Sequence, residues 1–332
     1  MELPARSPAF RLAILPLLAA CLSSCGAPSD FSPPAAPSYP VPGDFSALHG
    51  AAVIEEGDFV ARADSAPWSG YWYPLSRIDA RSALEKYDRL SGRRALEAEE
   101  QRLRTEGRPY QPWEGRCDAW AFASILIPEP RTPLVVDQGG ILERFSVAEQ
   151  KALWIHSHEV IDPASRTVYG TRNDGDGTTP FEDISPAEFH RVLQIRLQRD
   201  RKPFIMDRDP RPAVWNSPVH GAHWTIRRDA AQRDLFHVHA WVEAVFPHDS
   251  DLEGNDRLVT VLEYTYDLEA HPAGGSGFVV HGSRWTGGSV RDHPDFVTVL
   301  KDSVEDSAEA GARSANPELD IDWLRQHLRP AP

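Results

Sequence analysis

Apolar positions fall into two regimes, and the change between them comes near Phe189. Upstream, Leu84, Tyr87, Leu90, Leu96 and Leu103 recur at three- and four-residue spacings among many charges, which predicts one or two surface helices over Ile78 to Thr105. A further helix opens at Cys117, with Trp120, Ala123, Ser124 and Ile127 on one face, and Pro128 and Pro130 stop it. Pro133 to Val136 reads as a short strand and Val147 to His156 as a helix. Downstream come alternating β-like runs: Phe189 to Leu197, Pro203 to Asp207, Trp224 to Arg228, Leu235 to Phe246, Leu258 to Leu268 and Phe278 to Trp285. Helices followed by a meander of antiparallel strands predict an α+β fold rather than a doubly wound sheet. Pro317 to Leu328 fits a terminal helix after a loose Ser/Ala/Glu-rich stretch at 303–316, and no internal repeat is present.

The N-terminus follows another pattern. Arg6 and Arg11 precede the apolar run Leu12 to Ala20, and two lipobox-like sequences follow, Leu18-Ala-Ala-Cys21 and Leu22-Ser-Ser-Cys25. This resembles a bacterial lipoprotein signal with Cys25 or Cys21 lipidated; the rival reading is a plain secretory peptide. Neither Leu22 nor Gly26 is the aspartate that retains such proteins at the inner membrane, so the expected location is the outer membrane, or otherwise the periplasm or cell exterior. The expected division is a signal peptide at 1–25, a Pro/Ala-rich linker at 26–58, a folded body at 59–302, and a loose segment with a C-terminal helix at 303–332.

Composition narrows the class. With 332 residues, 41 % hydrophobic and ten tryptophans, the chain can bury one large core or two modest ones. A net charge of −14 with no long Lys/Arg cluster argues against nucleic acid. No apolar run reaches the roughly 20 residues of a spanning helix.

Cys117 is the sole cysteine outside the export segment, so no disulfide within the body explains it. A turn at Gly115 sets the thiol at a helix start, where unpaired N–H groups favour an anion; the rival reading is a small packed residue. A cysteine nucleophile needs a base, and the base needs a partner that fixes its tautomer. His190 opens the expected strand Phe189 to Leu197, and after the polar turn Gln198 to Lys202 a second strand ends on Asp207. As a hairpin, these strands set His190 and Asp207 opposite each other. Packed-core histidine and turn-acid roles are the alternatives, with Asp209 and Asn216 as substitute orienting groups.

Several blocks together resemble the transglutaminase-elicitor-like proteins of the papain-like transglutaminase superfamily. They are Cys117-Asp-Ala-Trp-Ala-Phe-Ala-Ser-Ile-Leu, Pro128-Glu-Pro, Thr132-Pro-Leu-Val, Phe189-His190, Phe204-Ile-Met-Asp207, Val214-Trp-Asn-Ser-Pro-Val219 and His293-Pro-Asp-Phe296, across about residues 67 to 300. The resemblance implies a papain-like core and a Cys117–His190–Asp207 triad. It also implies a protein-glutamine acyltransferase that takes a glutamine donor and an amine acceptor through a thioester. A glutamine six positions before the cysteine, here Gln111, serves the oxyanion hole in papain-like enzymes; Trp113 and Trp72 are further oxyanion or binding candidates, and Trp68 and Trp72 are candidate walls of an acyl tunnel. The stretch Asp174 to Asp183 lacks the cysteines of the family members, and Arg191 and Arg208 put charge where apolar residues or threonine are usual. The competing functions are a cysteine hydrolase, either deamidase or peptidase, and a non-catalytic surface-binding lipoprotein. No cofactor or metal is expected: His220 with His223 and His237 with His239 lack accompanying ligands, and Asn173-Asp-Gly-Asp-Gly177 is a faint calcium-loop signal without the EF-hand offsets. The expected body is a monomer.

Overall fold

The computed structural model describes residues 39–40, 53–105, 108–172, 183–208, 211–250, 256–273 and 277–330. The export segment with Cys21 and Cys25, the stretch 173–182 and Asp209 lie outside the described residues. Three strands, β1 (Tyr39–Pro40), β2 (Val53–Ile54) and β3 (Gly57–Arg62), precede the helices α1 (Arg81–Ser91), α2 (Ala95–Thr105) and α3 (Cys117–Leu126). A hairpin of β4 (Leu134–Gln138) and β5 (Ile141–Phe145) leads to α4 (Val147–His156) and β6 (Arg166–Gly170). The chain then forms α5 (Pro186–Val192), which runs into a π-helical stretch, Leu193–Arg199. After it come β7 (Phe204–Asp207), β8 (Asn216–Arg228), β9 (Leu235–Phe246), β10 (Leu258–Pro272), β11 (Phe278–Trp285), β12 (Phe296–Leu300) and α6 (Ile321–His327).

The main sheet is antiparallel, in the order β1-β11-β10-β9-β8-β7-β12-β6, with β2 on β11 and β3 on β8. Helices with a mainly antiparallel sheet make an α+β fold. Where the expected linker was to run, β1 and β2 instead pair with β11. The stretch 303–316 is packed rather than loose: Val304, Ala310 and Ala312 are buried against Ile161 and Leu300, and Arg313 pairs with Val160.

One sequence expectation fails in a way that matters for the site. Phe189 to Leu197 is helix, not strand. The Ser185 hydroxyl accepts from the Glu188 N–H, the Glu188 carboxylate accepts from the Ser185 N–H, and Pro186 occupies the first turn, which together start a helix firmly. Ser146 and Glu149 start α4 by the same device.

Both faces of the sheet are covered. On one, Phe189, Val192 and Leu193 pack on Phe204, Met206, Val219 and Trp224. On the other, Trp120, Leu153 and Trp154 form a cluster with Val245, and Phe122 packs with Ile205 and Leu300. Strand β7 shows the alternation residue by residue: Phe204 and Met206 face α5, so Ile205 and Asp207 face α3.

Candidate active site

A loop-to-helix turn sets the cysteine. Trp72 lies directly over Gly115, where a Cβ would come within 2.2 Å of the indole, so this approach requires glycine. The Arg116 N–H donates to the Trp72 carbonyl at 2.6 Å and locks the turn. Cys117 is thereby the first residue of α3, with Asp118 beside it in the first turn. Cys117 is 6 % exposed and lines a cavity of about 380 Å³, whose walls include Trp113, Asp118, Phe122, Arg166, Ile205 and Asn216.

The polar groups nearest the sulfur come from β8 and the residues just before it. The Val214 carbonyl is 3.7 Å from Cys117 Sγ, and Asn216 Nδ2 is 4.0 Å away. Asn216 and Asp207 are register partners on β8 and β7, and Asp207 Oδ1 accepts from the Trp215 N–H at 2.8 Å. Asp207 therefore ties down the segment that carries Asn216. Burial pushes the Cys117 thiol up to about 12; the Asp118 carboxylate and, less strongly, Asp207 push the same way, while hydrogen bonding to Asn216 opposes them. At neutral pH the resting group is a thiol, despite the helix N-terminus.

His190 is elsewhere. Its Nδ1 lies 2.7 Å from the Tyr266 hydroxyl, its ring meets Trp224 and Tyr266 edge-on, and it is fully buried. Trp224 and Tyr266 belong to the core on the α5 face, so the sheet separates His190 from Cys117. Burial depresses the imidazole to about 3, which keeps it neutral. The expected His190–Asp207 hairpin is not formed: β7 pairs with β8 and β12, because the capping box commits His190 to a helix.

Of the other candidates, Trp113 lines the cavity, with the Arg172 guanidinium over its ring. Gln111 sits in an exposed turn where its own N–H donates to Glu114, and its carboxamide does not line the cavity. Trp72 packs on Gly115 and edge-on against Trp215. Trp68 is core, donating from its indole to the Ile127 carbonyl. The histidine pairs weighed for zinc are otherwise engaged: His220 contacts the Glu243 carbonyl, His237 bridges Asp229 and Asp267, and His239 meets Glu263 and Trp241. Among the described residues, Glu99, His156 and Glu159 bring ligand atoms within 4.8 Å of one another. The Arg116 guanidinium already bridges both carboxylates, so the place of a cation is taken by arginine.

Among the cavity residues to which sequence reasoning gave no role are Asp118, quoted only as part of the Cys117 block, and Arg166. Asn216 was weighed only as a substitute for Asp207, although it lies in the Val214-Trp-Asn block that carries the resemblance. A family model described as transglutaminase elicitor matches residues 85–253. The chain belongs to the transglutaminase elicitor family. The matched span contains Cys117, Asp118, Arg166, Asp207 and Asn216, so the cavity is built largely from the part of the chain that matches the family. The crystal structure of the GP42 transglutaminase from Phytophthora sojae superposes with a TM-score of 0.58 at 22% sequence identity, over 73% of this chain and 83% of that one, which establishes a shared fold. No curated protein matches the chain.

Proposed function

We propose that this protein is a cysteine acyltransferase of papain-like build that acts on glutamine side-chain amides. The observation that carries the reading is the convergence on Cys117 of a helix N-terminus, an open cavity and the Asn216 carboxamide at 4.0 Å from Sγ. In the reaction Sγ attacks the amide carbon, the C–N bond breaks, and the thiol proton leaves on the departing ammonia. An amine then attacks the thioester, the C–S bond breaks, and a nitrogen proton restores the thiol. Asn216 Nδ2 and the Cys117 N–H stabilise the oxyanion in both steps. Asp207 positions Asn216 through the Trp215 peptide. His190 has no part in this scheme.

A second reading, a transglutaminase fold retained for binding alone, is favoured by one observation: a neutral thiol with the triad histidine across the sheet. Incubating the protein with a glutamine peptide, with and without a primary amine, separates the readings by mass spectrometry. Amide exchange for the amine supports transfer, deamidation supports hydrolysis, and an unchanged peptide supports binding alone. The same proposal sets the body outside the cytoplasm on a lipid at Cys25 or Cys21, supported by the tandem lipobox. Among the described residues, no helix is long and apolar enough to cross a membrane.

A further inference from the structure

Charged groups around Cys117 are mostly paired. Arg108 meets Glu114, and Arg116 lies between Glu99 and Glu159. Two cavity residues depart from this. Asp118 accepts from the Ala119 N–H at 2.8 Å and, among the described residues, has no ion-pair partner. Arg166 lies over the Phe122 ring at 5.6 Å and likewise has none. Both line the same cavity, and among the described residues they form no salt bridge with each other. Opposite charges that line one partly enclosed cavity without collapsing on each other suit a ligand that carries both complements.

We infer that the amine acceptor carries its own carboxylate: an amino-acid-like zwitterion whose ammonium sits at Asp118 and whose carboxylate sits at Arg166. The inference rests on the acyl-transfer reading for its chemistry, though not for the binding itself. Asp118 takes a proton from the ammonium, the amine nitrogen forms the new C–N bond as the C–S bond breaks, and a second nitrogen proton goes to Sγ. Asp118 is solvent-exposed, so its carboxylate can take that proton and pass it on to water. An ammonium at Asp118 also offsets the negative charge that helps hold the thiol protonated.

Lysine and cadaverine differ only in the carboxylate and form the test pair. With a glutamine peptide as donor, KM for lysine should be about 10-fold below that for cadaverine, the worth of one charge-assisted contact. Arg166→Met keeps the packing on Phe122 and should erase that difference by raising the lysine KM alone, whereas Asp118→Asn should raise both. Equal KM values in the unaltered protein, or an equal effect of Arg166→Met on both amines, would overturn the inference. If neither amine is incorporated, the acyl-transfer reading fails separately. Calorimetric titration of the Cys117→Ala protein with lysine then decides the site: binding lost in Arg166→Met supports it, and no binding ends it.

Discussion

The two faces of the sheet carry titratable groups in opposite surroundings, buried on one and opening to solvent on the other. On the α5 face, His190 makes one hydrogen bond to Tyr266 and is enclosed by Trp224 and neighbouring core residues. On the α3 face, Cys117, Asp118, Asn216 and Arg166 open on a common cavity. A neutral, enclosed imidazole packed among core side chains is a packing element, whereas charged groups that line a cavity beside a thiol can meet a ligand. The order Cys117, His190, Asp207 along the chain resembles a triad, but secondary structure assigns the members to faces, and the faces decide which can meet.

The largest effect should come from Cys117→Ala. Amide exchange should fall at least about 1,000-fold, while stability changes by no more than about 1 kcal/mol, since one small side chain is removed. Peptide mass spectrometry and thermal melts measure both. Asp207→Asn should slow the reaction about 10- to 100-fold by loosening the Trp215 contact that fixes Asn216. The opposite face should answer differently. His190→Phe leaves the Tyr266 hydroxyl buried without its partner and should cost about 1–3 kcal/mol of stability, with turnover per folded molecule within about 3-fold of the original. A collapse of turnover in a folded His190→Phe protein would erase the contrast between the faces.

Smaller effects sharpen it. His190 is depressed to about 3, His158 to about 4 and His156 well below 6.5, mainly by burial. Each folded value lies below the unfolded one, so the unfolded chain binds more protons as pH falls below 6.5. Their contribution is complete above that pH and declines by about 1.4 kcal/mol per pH unit per histidine on acidification. Denaturant melts from pH 7 to 4.5 should show this slope, and His190→Phe should flatten it by one proton. Least in size, Asp118→Asn should raise the alkylation rate of Cys117 by iodoacetamide at pH 8 by about 3- to 10-fold, since one cause of the raised thiol is removed. An unchanged or lower rate would show that Asp118 does not act on the sulfur.

Much of this was legible in the chain. The three- and four-residue spacings of α1 and α2, the proline stop after α3 and the alternation of β9 to β11 are local signals, and the structure follows them. Cys117 stood out by isolation, and Gly115 marked its turn. Phe189 to Leu197 misled because a short apolar run suits either period, and the local capping signal Ser185-Pro-Ala-Glu188 decided the matter. The short β6 and β12 carry little pattern of their own and exist through pairing with each other and with β7. Arg166 reaches the cavity on β6, so its place beside Asp118 is a product of long-range pairing that no local pattern encodes.

Intact-mass analysis of the protein after brief mixing with a glutamine peptide, without amine, tests the central claim most directly. The account predicts a mass gain equal to the peptide less ammonia, located on Cys117, in both the unaltered protein and His190→Phe, and absent from Cys117→Ala. No adduct in the unaltered protein, or an adduct that depends on His190 in a folded variant, would contradict it.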